Sequence, residues 1–122
     1  MERELKSKSI FQKFYNAFNG LLIPYRSEVS IRIQTAIVIA GIVLGLYLHI
    51  TRTEWLFLVI AAAILLITEC LNTAIEKLVD LVSPGYHELA GKVKDIAAGA
   101  VFLAGAAALV ISVLVFIPYF NK

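Results

Sequence analysis

Charged residues are scarce in this chain of 122 residues: Asp, Glu, Lys and Arg together make up 16%, against 60% hydrophobic residues. That balance excludes an ordinary soluble globular protein. Cysteine is nearly absent, and the lone Cys70 excludes an intramolecular disulfide. The two histidines, His49 and His87, have no second ligand at metal spacing, which argues against a zinc site. The sequence contains no Walker loop and no other glycine-rich nucleotide loop, so nucleotide chemistry would need a different scaffold.

Long apolar stretches take the place of the missing charge, at residues 33–50, 55–82 and 96–120. The first and third are close to or above the roughly 18 to 25 residues that span a bilayer. The second begins as a span and ends in acidic residues. We therefore predict an all-α integral membrane protein. Three spans offer little interior for polar groups, so we also expect the chain to form a homo-oligomer.

The boundaries of the predicted elements follow from these stretches and from the residues between them. We predict a single domain over 1–122, with helices at 29–50, 54–82 and 90–118 that contain the transmembrane spans. Residues 1–22 alternate basic and aromatic groups at helical spacing, which predicts an amphipathic helix on the membrane surface. Its aromatic residues are Phe11, Phe14, Tyr15 and Phe18.

The basic residues are distributed unequally between the two sides of the predicted membrane. Arg52 and Lys122 lie on one side, and the other nine lie before the first span or beside the 83–94 loop. Because basic residues accumulate in cytoplasmic segments, we predict a cytoplasmic N-terminus. The nine are Arg3, Lys6, Lys8, Lys13, Arg26, Arg32, Lys77, Lys92 and Lys94.

A polar stripe follows the apolar part of the second span. Glu69, Asn72, Glu76 and Asp80 are spaced 3, 4 and 4 residues apart, so they share one helix face. Glu69 lies about 22 Å along a helix from Glu54, inside the inner half of a hydrocarbon core of roughly 30 Å. Glu76 and Asp80 reach the cytoplasmic interface. Acids at such depth are costly unless a metal, a proton or a basic partner compensates them, so the stripe predicts a functional site.

The chemistry of the stripe favours phosphoryl transfer to a membrane lipid. Glu28, Lys94 and Asp95 fall at the level of its cytoplasmic end. Mg²⁺ binds one or two carboxylates together with substrate phosphates, and lysine is a common phosphate partner. An acid at lipid depth suits a general base that accepts a hydroxyl proton.

Two alternatives remain open at this point. The chain could be a small proton- or cation-coupled transporter in which Glu69 is the coupling charge, although Glu69 does not lie at the bilayer midplane. It could also be a structural membrane subunit whose acids form interhelical hydrogen bonds, although many acids share one face. Nucleotide-dependent phosphorylation of a lipid distinguishes the kinase from both.

The sequence also resembles a known family. Residues Glu69-Cys-Leu-Asn-Thr-Ala-Ile-Glu76 and Asp80, followed by Tyr86-His87 and Lys94-Asp95-Ile-Ala-Ala-Gly-Ala, are similar to the prokaryotic diacylglycerol kinases over 14–120. The resemblance implies ATP-dependent phosphorylation of a membrane lipid alcohol in the bacterial cytoplasmic (inner) membrane. It implies a homotrimer with one surface helix and three transmembrane helices per subunit, and active sites shared between subunits. The implied partners are ATP with Mg²⁺, the lipid alcohol and the bilayer, with no nucleic acid.

The resemblance also implies roles for individual residues. Glu69 matches the catalytic general base, which also contacts the lipid substrate, and Asp80 supports the site. Glu28 and Glu76 match the pair that holds the metal of Mg-ATP. Asn72 and Ala98 match positions beside the reacting centre that contact substrate. The other matched nucleotide-binding positions are Gly85, Tyr86, His87, Lys94 and Asp95, with Asn16 standing where some members have a tyrosine.

Two segments indicate which lipid is phosphorylated. The turn 83–87 and the pair Glu54-Trp55 resemble undecaprenol kinases more than the enterobacterial diacylglycerol kinases. The resemblance therefore favours undecaprenol over diacylglycerol as the acceptor.

Overall fold

The computed structural model describes residues 9–121 and consists there of four α-helices. They are α1 (Ile10–Ser27), α2 (Val29–Leu48), α3 (Arg52–Val82) and α4 (Glu88–Phe120). Helices α2, α3 and α4 are each long and apolar enough to cross a membrane. The all-helical class and the three candidate spans are thus as the sequence predicts. Arg3, Lys6, Lys8 and Lys122, which the charge argument used, lie outside the described residues.

Helix α1 extends beyond the end that the sequence predicts near residue 22. It begins after Ser9, whose hydroxyl accepts a hydrogen bond from the Gln12 amide at 3.2 Å. It then continues through Pro24, although proline removes a backbone donor from a helix. Pro24 is buried, and the Tyr25 hydroxyl lies 2.7 Å from the hydroxyl of Thr35 on α2. Packing of this last turn against α2 outweighs the local helix-breaking signal.

The break between α1 and α2 falls at a single residue. Glu28 has an extended backbone, with φ −124° and ψ 128°, and its amide still donates to the Pro24 carbonyl at 2.8 Å. Helix α2 ends at Leu48, and the residue that follows, His49, adopts the left-handed conformation with φ 53°. A turn of three residues, 49–51, then reverses the chain, so α3 runs antiparallel to α2.

Several contacts stabilise the end of the bundle around Trp55. Thr51 and Glu54 form a reciprocal cap. The Thr51 amide donates to the Glu54 carboxylate at 2.9 Å, and the Glu54 amide donates to the Thr51 hydroxyl at 3.2 Å. The Tyr119 hydroxyl donates to the Glu54 carboxylate, which joins the end of α4 to the start of α3. Gly45 leaves room for this packing, because an added Cβ would lie 2.7 Å from the Trp55 ring.

The single chain buries little apolar surface, and its main interhelical contact is between α3 and α4. Small residues permit that contact: Ala97 and Ala104 of α4 are buried, as is Ala61 of α3. Most large apolar side chains of the three spans remain exposed, including Phe102 at 76%. Such a surface is suited to lipid or to further copies of the chain. The other buried apolar residues are Ile31, Ile50, Leu65 and Val115.

Candidate active site

Glu69 is the buried carboxylate of the structure, with 3% of its surface exposed. The Ser30 hydroxyl donates to its Oε1 at 2.6 Å, and the Gln34 side-chain amide donates to its Oε2 at 3.1 Å. Both donors lie in the first turns of α2, one helical turn apart, whereas Glu69 lies in the second half of α3. The bundle therefore brings the start of α2 against the polar stripe of α3 at Glu69.

Sequence reasoning missed these partners of Glu69. Ser30 and Gln34 are polar residues at i and i+4 near the start of a helix that is otherwise mostly apolar, and this spacing was the available signal. A third missed residue is Thr73, which is 2% exposed and donates to the Glu69 backbone carbonyl at 3.2 Å. All three add polar groups to the predicted site.

Two buried acceptors near Glu69 have no hydrogen-bond partner. The Asn72 amide donates from Nδ2 to Oε1 of Glu76 at 3.2 Å, which leaves its Oδ1 unpaired. Gln34 Oε1 is unpaired in the same way. Within the described part of the chain, these are the buried side-chain polar atoms that lack a partner. An unpaired buried polar atom costs roughly 1 to 3 kcal/mol, so both positions are suited to a ligand that donates.

The far end of the stripe is an ion pair between α3 and α4. Lys94 Nζ lies 2.6 Å from Asp80 Oδ1, and the two side chains are 40% and 65% exposed, respectively. Lys94, predicted to meet a phosphate, is thus paired with a carboxylate in this structure. Asp95 follows it and is exposed.

The remaining predicted nucleotide residues, and the predicted substrate residue Ala98, lie on the exposed surface. Gly85 and Tyr86 occupy the turn between α3 and α4, where Tyr86 is 97% exposed. His87 caps α4, since its Nδ1 accepts from the Leu89 amide at 3.1 Å. Asn16 is exposed on α1, and Ala98 is exposed on α4. Within residues 9–121, no hydrogen bond or ion pair links the side chains of these residues to Glu69.

The predicted metal pair, Glu28 and Glu76, lies on the same side of Glu69. Ser30 contacts Glu69, and Glu28 lies two residues before Ser30, at the break that precedes α2. Glu76 lies about 10 Å beyond Glu69 along α3, which runs antiparallel to α2 and so leads in the same direction. Among the described residues, no group of three or more His, Cys, Asp or Glu side chains could hold a metal ion. Two carboxylates fit an ion that is held jointly with substrate phosphates.

An apolar groove of about 520 Å³ leads away from Glu69 between α2, α3 and α4. Gln34 is its polar residue nearest to Glu69, and Trp55 and Phe116 lie toward the opposite end of the bundle. Its size and lining are suited to an alkyl chain. The other lining residues are Ile37, Val38, Gly41, Ile42, Leu58, Val59, Ala61, Ala62, Leu65, Gly105, Ala108, Leu109 and Ser112.

Comparison with known proteins assigns the family. The model of the family "Prokaryotic diacylglycerol kinase" matches residues 15–116. An undecaprenol kinase from Bacillus subtilis is 32% identical over 108 residues, which cover 88% of each chain. A diacylglycerol kinase from Synechocystis is 35% identical over 90% of this chain and 63% of its own. A diacylglycerol kinase from Escherichia coli is 31% identical over 72% of each chain. The chain thus belongs to the prokaryotic diacylglycerol kinase family and is a lipid kinase.

Proposed function

We propose that this protein transfers the γ-phosphoryl group of ATP to the hydroxyl of a long-chain lipid alcohol at the cytoplasmic face of the bacterial inner membrane. The observation that carries the proposal is the position of Glu69. This carboxylate is buried, and its partner Gln34 lines the apolar groove. A hydroxyl at the end of an alkyl chain can therefore approach Glu69 from within the membrane.

The lipid occupies the groove with its hydroxyl toward Gln34. Before transfer begins, the hydroxyl donates a hydrogen bond to the unpaired Gln34 Oε1, which supplies the partner that this buried oxygen lacks. The hydroxyl then rotates and donates to Glu69 as the phosphoryl group approaches. Asn72 and Ala98 border the headgroup on α3 and α4. Holding the hydroxyl in one orientation beside the base removes much of the entropic cost of the reaction.

Glu69 acts as the general base. As the lipid oxygen forms a bond to the γ-phosphorus, the bond between that phosphorus and the β–γ bridging oxygen breaks, and ADP is the leaving group. The hydroxyl proton passes to Glu69. Its two hydrogen bonds come from uncharged donors, so the carboxylate is oriented without a cation that would compete for its charge.

The nucleotide binds at the acidic end of the bundle, where α3 ends and α4 begins. Glu28 and Glu76 would hold Mg²⁺ together with the phosphates, and the bound ion would supply positive charge that neutralises the phosphates. Lys94 exchanges Asp80 for a phosphate oxygen, which is feasible because the pair is exposed. The other nucleotide contacts come from Gly85, Tyr86, His87, Asp95 and Asn16.

The preferred acceptor is undecaprenol rather than diacylglycerol. The relatives carry both names at similar identity, 32% for the Bacillus subtilis undecaprenol kinase and 35% and 31% for the Synechocystis and Escherichia coli diacylglycerol kinases. The preference therefore rests on the 83–87 turn and the Glu54-Trp55 pair alone.

The assembly is a homotrimer whose N-terminal helix α1 lies on the cytoplasmic leaflet. Exposed aromatic side chains support surface binding of α1, for example Phe11 at 79% and Phe14 at 72%. The exposed apolar faces of the spans support association of several copies. Active sites shared between copies would use the residues of α1 and of the 83–87 turn that remain exposed in one chain.

The test is transfer of label from γ-labelled ATP to lipid by purified protein in mixed micelles. Undecaprenol, diacylglycerol and glycerol are offered separately and in competition. We expect labelled undecaprenyl phosphate to dominate, and glycerol to be poor because it has no chain to position its hydroxyl. Preferred labelling of diacylglycerol would overturn the choice of lipid. Absence of any labelled lipid, with ion flux into vesicles instead, would favour the transporter.

A further inference from the structure

Two side chains of α2 hold the carboxylate of Glu69 between them. Ser30 Oγ donates to Oε1 at 2.6 Å, and Gln34 Nε2 donates to Oε2 at 3.1 Å. We propose that Ser30 and Gln34 are positioning residues that fix the Glu69 carboxylate in the orientation that accepts the substrate proton. This inference rests on the proposed function, because it assigns to Glu69 the role of base.

The geometry of the two bonds explains how they fix the carboxylate. A glutamate side chain has three rotatable torsions, and a single hydrogen bond leaves its carboxylate free to rotate about that contact. Donors one helical turn apart, each on a different oxygen, define both the position and the plane of the group. A carboxylate accepts about four hydrogen bonds, so each oxygen keeps a free lone pair for the hydroxyl.

The chemistry of the donors also distinguishes the two residues. Ser30 has one hydroxyl proton, and the bond to Glu69 uses it. Replacement of Ser30 by alanine therefore removes this contact and little else. Gln34 has a second role in the proposed function through its unpaired Oε1, so its replacement affects lipid binding as well as the base.

Thr35 provides a matched control on the same turn of α2. Its hydroxyl lies 2.7 Å from the Tyr25 hydroxyl of α1, and it makes no hydrogen bond to Glu69. Thr35→Val removes one hydroxyl at nearly constant volume, as Ser30→Ala does, without touching the carboxylate. Any effect of altering the start of α2 in general appears in both variants.

The first experiment compares kcat and KM for the full chain in mixed micelles with Mg-ATP and undecaprenol. We expect Ser30→Ala and Gln34→Met to lower kcat by roughly 10- to 100-fold, the scale of a misplaced catalytic group. The KM for ATP stays near that of the unaltered protein, and the KM for lipid rises only in Gln34→Met. Ser30→Thr, which restores a hydroxyl, recovers most of the rate, and Thr35→Val retains the original kcat. Thermal unfolding in detergent confirms that each variant is folded.

The second experiment repeats Ser30→Ala in a Glu69→Gln background. A residue that acts through Glu69 has little further effect once the carboxylate is gone, so we expect the residual rate to be unchanged. An equal fold-loss in both backgrounds would overturn the inference, as would unaltered kcat in both Ser30→Ala and Gln34→Met. If the unaltered protein labels no lipid, the proposed function fails and the inference fails with it. If it labels lipid and both Ser30→Ala and Gln34→Met retain the kcat of the unaltered protein, the inference fails alone.

Discussion

Glu69 combines two properties that a residue rarely has in a membrane protein: it is ionisable, and it is 3% exposed within a candidate span. Burying a carboxylate in a membrane span costs free energy unless neighbouring groups stabilise it. Here two uncharged hydrogen-bond donors stabilise the Glu69 carboxylate. This cost is consistent with a functional rather than a structural role for the residue.

We predict that Glu69→Gln lowers kcat by about 10² to 10⁴, because removal of a general base typically has an effect of this size. Nucleotide affinity should change little, since Glu69 lies deeper than the acidic end that we propose as the ATP site. Labelling of lipid measures the first quantity, and calorimetric titration with Mg-ATP measures the second. Thr68→Val is the control, because Thr68 precedes Glu69 and bonds only to the Ile64 carbonyl. Full activity in a folded Glu69→Gln protein would remove Glu69 from the mechanism.

Glu28 and Glu76 are expected to act on the metal rather than on the lipid. Replacing either by alanine should weaken the apparent affinity for Mg-ATP by on the order of tenfold or more, because we propose that each supplies a carboxylate ligand. The concentration of Mg²⁺ that gives half-maximal activity should rise in both variants, while the KM for lipid stays constant. Glu88→Ala is the comparison, since Glu88 is an exposed acid whose partner is Lys92 at 3.6 Å. An unchanged Mg²⁺ requirement in both variants would place the metal elsewhere.

At the scale of helices, the sequence predicted the spans better than it predicted α1. Hydrophobic length locates a span to within a few residues: 29–50, 54–82 and 90–118 correspond to α2, α3 and α4. The end of α1 depends on long-range contacts, the burial of Pro24 and the pairing of Tyr25 with Thr35, which no local signal contains.

The candidate site shows the same division between local and distant information. Helical spacing alone groups Glu69, Asn72 and Glu76 on one face. In the structure, the Asn72 side-chain amide donates a hydrogen bond to the Glu76 carboxylate, as expected for neighbours on that face. Ser30 lies 39 residues from Glu69 in the sequence, so periodicity could not pair them. The pairing of Lys94 with Asp80 was missed for the same reason, because it joins two helices across the 83–87 turn.

The contact of α2 with Trp55 gives a prediction about the stability of the bundle. Gly45→Ala would place a Cβ 2.7 Å from the Trp55 ring, and overpacking of this kind costs about 1 to 3 kcal/mol. We expect a lower unfolding temperature for this variant in detergent. Gly41→Ala is the control on the same helix, since an added Cβ there meets no atom within 4 Å. Equal unfolding temperatures for the two variants would show that the Trp55 ring moves aside without cost.

At the scale of the whole molecule, the exposed apolar surface is the property that calls for explanation. A single chain leaves residues such as Phe102 and Leu114 exposed on α4, at 76% and 69%. Such faces are suited to lipid and to other copies of the chain, and a proposed oligomer would also extend the small interior of three spans.

We predict that native mass spectrometry of protein released from mild detergent gives a mass of about three chains of 13.4 kDa. Chemical cross-linking in membranes should give the same number of subunits before extraction, which controls for association in detergent. Activity should follow the trimer through size-exclusion chromatography. A fully active monomer would contradict both the trimer and the sharing of sites.

The burial of Glu69 has a consequence for how the reaction ends. The acceptor arrives as a neutral alcohol, but the product is a phosphate monoester that bears about 1.5 to 2 negative charges at neutral pH. A headgroup with that charge is poorly matched to a site whose nearest ionisable group is a carboxylate 3% exposed to solvent. Once Glu69 has returned its proton to water, like-charge repulsion and the demand of the phosphate for hydration both act toward the aqueous interface. If Glu69 acts as proposed, the buried acid that accepts the alcohol proton would also favour departure of the phosphorylated lipid.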